Sequence, residues 1–285
     1  MSTTNSVAPG AQQPVTAPLV LPAVKRNGRL RAWLLALIIP VGVLAAWSIS
    51  AKIAPSVLLP APWTVVETFV DFAVGGINDD GFSGTLLLHF WASLQRVVEG
   101  FGLAAITAIP LGLLIGRSKL AEQLLDPTLQ LIRPIPVTAW LPLSIMVFGL
   151  GAKAALSLIA LACFFPILMN TVLGVRGGDP RLIEAAEMLG CRGPSLFWQV
   201  VLPGALPSIF TGLRLSAGIA WVIIVVGEMT GVPMGLGAAI MEARSVSRTD
   251  MILVGMIVMG CAGYITDRLI IMASQRLLRW SPQHG

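Results

Sequence analysis

The chain has 285 residues, 55% hydrophobic and only 12% charged, with a mean hydropathy of +0.83. A soluble domain carries about a quarter charged residues, so this composition excludes one and defines an integral membrane protein with a single membrane domain. The net charge of +5 does not mark a nucleic-acid binder, because the basic residues are scattered between apolar runs without a basic face.

In chain order, residues 1–31 read as a disordered cytoplasmic tail, the first 24 being rich in Ser, Thr, Ala, Pro and Gln. A spanning helix needs about 20 mostly apolar residues. Residues 32–49 supply the first, kinked at Pro40. It imitates a signal peptide, with small residues near Ser50 and Ala51, but cleavage would leave an odd number of spans, so an uncleaved anchor is expected. Residues 52–85 form an outer connection. The second span, 101–115, is extended by the amphipathic stretch LLLHFWASLQRVVEG, 86–100. The third (134–151) and fourth (154–175) are separated by the turn GLGAK. The fifth runs from about 206 to 227, ending near Glu228 with Arg214 inside it, and the sixth covers 251–266. The expected fold is all-α with six transmembrane helices: a membrane domain over 32–280, a cytoplasmic loop at 176–204 and a C-terminal tail at 281–285.

Six spans put both termini on one side. With the N-terminus inside, 13 of the 19 basic residues fall in inner segments and four in outer ones, while Arg96 and Arg214 lie within spans. The positive-inside rule therefore orients the chain N-in, C-in.

The sequence carries little catalytic chemistry. His89 and His284 are its two histidines, there is no HExxH or GxSxG, and no span holds a carboxylate pair. No Gly-Lys dipeptide occurs, which excludes a Walker A phosphate loop. The chain is read as a non-enzyme that binds no ATP or other cofactor itself. Cys163, Cys191 and Cys261 form no motif, and Cys163 and Cys261 read as buried small hydrophobes.

The inner loop is unusual for so apolar a chain. Asp179-Pro180 is a helix start, since Asp accepts from free N–H groups and Pro at the first position loses nothing. Residues 181–189 favour helix and Gly190 can end it in the left-handed conformation. Gly193-Pro194 permits a restart, and residues 195–202 form a second short helix closed by Pro203. Ile183 and Ala186 share one side at helical spacing. Spacing alone leaves two readings open: an amphipathic helix lying on the inner leaflet, or a helix offered to a partner's groove.

Glu184-Ala185-Ala186, three residues, Gly190, nine residues, Val200, one residue, then Leu202-Pro203 resembles the EAA signature of bacterial ABC-importer permeases, with Val in place of the commoner Ile. SLQRVVEGF (93–101), IRPIPVTAWLPLSIMVFGLG (132–151), FFPILMNTVLGV (164–175), GLRLSAGIAWVIIVVGEM (212–229) and TDRLI (266–270) look like the nitrate/sulfonate/taurine/bicarbonate branch. The resemblance implies a permease subunit in a bacterial inner membrane, usually paired with an identical copy. It also implies two cytoplasmic ATPase subunits that use the ATP, and an extracytoplasmic substrate-binding protein. On this carry-over Glu184, Ala185, Ala186, Gly190, Val200, Leu202 and Pro203 belong to the element coupling permease to ATPase. Pro134, Pro136, Trp140, Trp221, Glu228 and Met229 are candidates for the substrate pathway, where irregular backbone lines a cavity. The alternative is a secondary carrier or channel acting without an ATPase; an intramembrane enzyme ranks third.

Overall fold

The computed structural model describes residues 27–53, 59–78 and 80–278, with side chains from residue 37 onward, and every regular element among them is a helix. The chain divides into two units, residues 1–49 and 50–285. The first holds most of α1 (Asn27–Ile53), which carries Pro40 within it. Within α1 the part whose side chains are described, Leu37–Ile53, is an apolar helix. The expected tails lie outside the described residues, apart from 27–31, which are already helical.

The second unit runs through α2 (Pro62–Val74), α3 (Leu86–Arg117), α4 (Lys119–Ile132), a 3₁₀ turn (Val137–Trp140), α5 (Leu141–Phe148), α6 (Ala152–Arg176) and α7 (Pro180–Met188). It continues with α8 (Pro194–Leu196), a π turn (Phe197–Val201), α9 (Leu202–Glu228), α10 (Leu236–Ser245) and α11 (Thr249–Leu277). Among the described residues, four helices are long and apolar enough to cross a membrane: α3, α6, the continuous run Pro194–Glu228, and α11. A fifth is reached if α4 and Val137–Phe148 count as one bent span. The third expected span, 134–151, is therefore only the second arm of that pair, a 3₁₀ turn followed by the short α5, and it meets α4 at 88°. Pro134 and Pro136 withhold the N–H groups that would have carried the helix through.

Pro203 does not close a helix as expected. The chain passes through it, because the wider π turn immediately before it, with Leu202 N–H donating to Phe197 O, relieves the clash a proline makes with the carbonyl four residues back.

The core centres on α6, packed between α3 and α9. On α3, Gly100, Ala104, Ala108 and Gly112 recur every four residues and are buried. A Cβ on Gly100 would sit 2.8 Å from the Ile159 side chain, and one on Gly112 2.7 Å from that of Thr171. On α9, Gly212 meets Asn170 and Gly227 meets Ala155, each at 2.8 Å by the same measure. Small residues let helix backbones approach where lipid offers no hydrophobic gain from association. Ser216 Oγ donates to Cys163 O at 3.0 Å and Cys163 Sγ to Ser216 O at 3.4 Å, stitching α6 to α9. Cys163 is buried as expected, but Cys261 is exposed on α11.

Candidate functional site

At one end of the bundle, α7 is capped by Asp179, whose carboxylate accepts from Arg181 N–H at 2.9 Å, with Pro180 in the first turn. It closes through Cys191 N–H to Ala186 O (2.9 Å) and Gly190 N–H to Glu187 O (3.0 Å), the paired bonds of a Schellman stop. Gly190 sits at φ +90°, a value glycine tolerates best, and open space surrounds the position of a Cβ. No residue of α7 is buried. Ile183 and Ala186 are half-buried, while Glu184, Ala185, Leu182, Met188 and Leu189 are exposed, the last two at 88% and 86%. Val200, Leu202 and Pro203 are half-buried in the π turn and the start of α9. Behind this surface, Arg117 lies 5.4 Å over the Phe197 ring, and Arg176 pairs with Glu122 at 3.0 Å. The α7 surface thus presents apolar side chains, the two carboxylates of Glu184 and Glu187, and Arg181 outward from a braced base.

At the other end, the pathway candidates separate. Pro134 and Pro136 are exposed in the break before α5, Trp140 and Met229 are half-buried, and Trp221 and Glu228 are buried. Trp221 stacks on Phe90 with centroids 6.3 Å apart and donates from Nε1 to Thr266 Oγ1 at 3.0 Å. It bridges α3, α9 and α11 as a packing anchor.

Glu228 centres a buried polar knot that the sequence reading missed. Arg96 Nη1 donates to its Oε1 at 2.6 Å, Ser93 Oγ lies 2.8 Å from both carboxylate oxygens, and Gly237 N–H donates to Oε2 at 2.9 Å. Ser93 Oγ accepts from Leu236 N–H at 2.8 Å. His89 Nδ1 lies 2.9 Å from the Gly235 carbonyl oxygen and 3.2 Å from its nitrogen. The first free N–H groups of α10 are therefore satisfied by side chains of α3 and α9. Gly235, at φ +153°, has no room for a Cβ, which would overlap the Glu228 carboxylate. The signal available in the sequence was an Arg and a Glu within apolar helices; a buried charge needs a partner.

A second network lies outside the spans on the same end. Asp71, buried in α2, accepts from Ile77 N–H (2.9 Å), Asn78 N–H (3.2 Å) and Ser83 Oγ (2.8 Å). Burial pushes its carboxyl up, but the Ile77, Ser83 and Asn78 hydrogen bonds outweigh it and hold the group below its ordinary value. Arg248 bonds both Asp250 and Asp80, and Asp250 accepts from Thr68 Oγ1 at 2.8 Å. The Asp250 hydrogen bonds hold the Arg248 guanidinium charged well above its ordinary value. Together these contacts fasten α2 and its following loop to the start of α11.

An all-helical chain with several apolar spans, glycine-lined seams and a braced, outward-facing polar helix between two spans is a multi-pass membrane protein. Residues 108–279, more than half the chain, match the family described as "Binding-protein-dependent transport system inner membrane component", and the chain belongs to that family. It is a transport permease, not an enzyme. It is 38% identical to the putative aliphatic sulfonates transport permease protein SsuC of Bacillus subtilis, over 90% of this chain and 91% of that one. It is 35% identical to the taurine transport system permease protein TauC of Escherichia coli, over 84% and 85%. It is 34% identical to the nitrate import permease protein NrtB of Synechocystis, over 74% and 78%. Its fold is similar to that of a chain in inward-facing structures of the MetNI methionine ABC transporter, with a TM-score of 0.53 and 20% identity, over 68% of this chain and 94% of that one.

Proposed function

We propose that this chain is the pore-forming subunit of an ATP-driven importer for a small anion of the nitrate, sulfonate, taurine or bicarbonate kind. It sits N-in, C-in in a bacterial inner membrane, with six spans once α1 is counted. Two identical copies form the pathway, two separate ATPase subunits bind the ATP, and an extracytoplasmic binding protein delivers the solute. The names of the relatives support the substrate class. The observation that carries the reading is α7: a capped helix with no buried residue, held from behind by the π turn and α8. Exposed apolar residues on a short braced helix suit insertion into a partner's groove. On this reading Glu184, Ala185, Ala186 and Gly190 dock, and Val200, Leu202 and Pro203 form the joint carrying the movement into α9. α4 and α5 bury no residue within this chain, which supports their facing a second copy. Pro134, Pro136, Trp140 and Met229 then line the pathway, and Trp221 and Glu228 hold it from within the core.

Glu184→Arg tests the docking role. The side chain is exposed, so the variant should insert and fold normally, yet lose ATP-dependent uptake and recovery of the ATPase. Gly190→Arg should do the same, with an added local cost of about 1–2 kcal/mol for a side chain at positive φ. Wild-type uptake and complex recovery in Glu184→Arg would remove the coupling role.

A further inference from the structure

Between α9 and α11 lies a cavity of about 300 Å³, lined among others by Ser208, Phe210, Thr211, Arg214, Ser274 and Gln275. Arg214 lies 14 residues before Glu228 on one helix, about 21 Å along its axis, so the cavity is separate from the buried knot. Its lining contains one charged residue, Arg214, and no carboxylate.

Asp267, which does not line the cavity, holds the guanidinium from outside. Arg214 Nε donates to Asp267 Oδ1 at 2.5 Å and Nη2 to Oδ2 at 3.2 Å. Among the described residues Nη1 has no partner. Nor do the Ser208 hydroxyl and the Gln275 amide. The Thr211 and Ser274 hydroxyls instead donate to the carbonyls of Pro207 (3.0 Å) and Ile271 (2.8 Å). The donors left over are therefore one guanidinium N–H group, one hydroxyl and one carboxamide; Asp267 balances the Arg214 charge from outside, and the lining itself adds no carboxylate that would repel an anion. Nearby on α11, Arg268 and Arg276 add positive charge, and Asp267 is the one carboxylate on this half of the helix.

The Arg214–Asp267 pair is also unusually open: the side chains are 53% and 29% exposed inside helices apolar enough to span a bilayer. Charge facing hydrocarbon is expensive, and intramembrane ionisable groups turn toward water, protein or a polar ligand. A planar guanidinium fixed along one edge presents its remaining N–H groups as a ready receptor for an oxoanion.

We propose that this cavity is an oxoanion-binding site, with Arg214 as the charged ligand, Asp267 as its positioning residue, and Ser208 and Gln275 as neutral donors. The bound group is a singly or doubly charged oxoanion. It comes either from a solute in transit, such as a sulfonate, or from the phosphate of an anionic lipid headgroup. The solute source rests on the importer reading above; the site itself does not.

The test uses the full chain, with whatever subunits accompany it, in nanodiscs of phosphatidylcholine with or without phosphatidylglycerol. Radiolabelled sulfate is the probe, with methanesulfonate as competitor. Saturable sulfate binding is expected in phosphatidylcholine, weakened about tenfold or more by Arg214→Gln. Gln275→Glu, which places a carboxylate in the cavity while leaving the Arg214–Asp267 pair intact, should weaken it similarly. If the lipid is the occupant, phosphatidylglycerol abolishes sulfate binding and survives delipidation on the wild type but not on Gln275→Glu. Should Arg214→Gln fail to fold, Gln275→Glu, at an exposed side chain, decides alone. Absence of both sulfate and phosphatidylglycerol binding, or binding indifferent to the variants, overturns the site. Binding requires no ATP, so a chain that binds sulfate but supports no ATP-driven uptake would sink the importer reading and leave the site standing. Uptake without binding would do the reverse.

Discussion

Arg96→Met probes the buried knot. The Glu228 side chain has no exposure and that of Arg96 is 13% exposed, so solvent does little to screen their pairing. Removing the guanidinium leaves a buried carboxylate without a counter-charge, a change that costs about 3–5 kcal/mol in comparable sites. Ser93 and Gly237 still donate to it, which argues for the lower end, about 3 kcal/mol. With about 2–4 °C per kcal/mol for a chain of this size, Tm should fall by about 6–12 °C. Arg96→Met combined with Glu228→Gln should recover most of that loss, because the amide oxygen can keep the Gly237 bond and no charge is left unpaired. The assay uses the buried thiol of Cys163: accessible Cys191 and Cys261 are blocked with N-ethylmaleimide, and a fluorogenic maleimide then reports unfolding as Cys163 emerges. Two results would refute the reasoning: a fall of less than about 2 °C for Arg96→Met, or a double variant as unstable as the sum of its single changes.

Gly235→Ala should be worse than an ordinary glycine replacement, because the methyl overlaps the Glu228 carboxylate and the residue sits at φ +153°. A loss of about 2–4 kcal/mol is expected in the same thiol assay, through combined overpacking and backbone strain. Trp221→Phe removes the hydrogen bond to Thr266 but keeps the stack on Phe90; about 1 kcal/mol and a fall of about 2–4 °C should follow. Asp71 gives a pH signature. Its folded-state pKa lies below the ordinary 3.8, so the stability it contributes is present above that value and drains away as pH falls through the folded one. Proteolysis of the loop after α2 should therefore rise below pH 3.8 in the wild type, whereas Asp71→Asn should show a raised rate already at neutral pH and a flatter acid response.

The parts of this fold legible in the sequence are those governed by local chemistry. Hydropathy placed α3, α6, α9 and α11 in the membrane, and Asp179, Pro180 and Gly190 marked both ends of α7. The misreadings share a different physics. Pro203 looked like a stop, yet the π turn immediately before it absorbs it, a backbone widening that residue composition does not announce. The run 134–151 had the composition of a span, but composition cannot show that two prolines turn the chain through 88°. α2 passed as part of a connection because it is short and gains its stability from tertiary contacts, chiefly with α11. The knot was invisible for a related reason: Arg96 and Glu228 lie 132 positions apart, and only the α3–α6–α9 seam brings them together.

That seam also decides how the two ends of the molecule can communicate. α9 is one helix of 27 residues, about 40 Å long, joining the π turn beside α7 to the Glu228 knot. A displacement imposed on α7 passes to the π turn and α8, the elements it touches. It cannot be absorbed by sliding α9 along α6, because Gly212 and Gly227 already hold the two backbones at closest approach. Nor can α3 lag behind, fixed to α6 through Gly100 and Gly112 and to α9 through Arg96. Close-packed interiors respond to such a push by moving as bodies between discrete arrangements rather than by deforming. α4 and α5, with no buried residue and a sharp break between them, are bound by no such seam. On the docking role proposed for α7, the relative motion it would drive is therefore that of the α3–α6–α9 body against the bent α4–α5 pair, the segment carrying Pro134, Pro136 and Trp140.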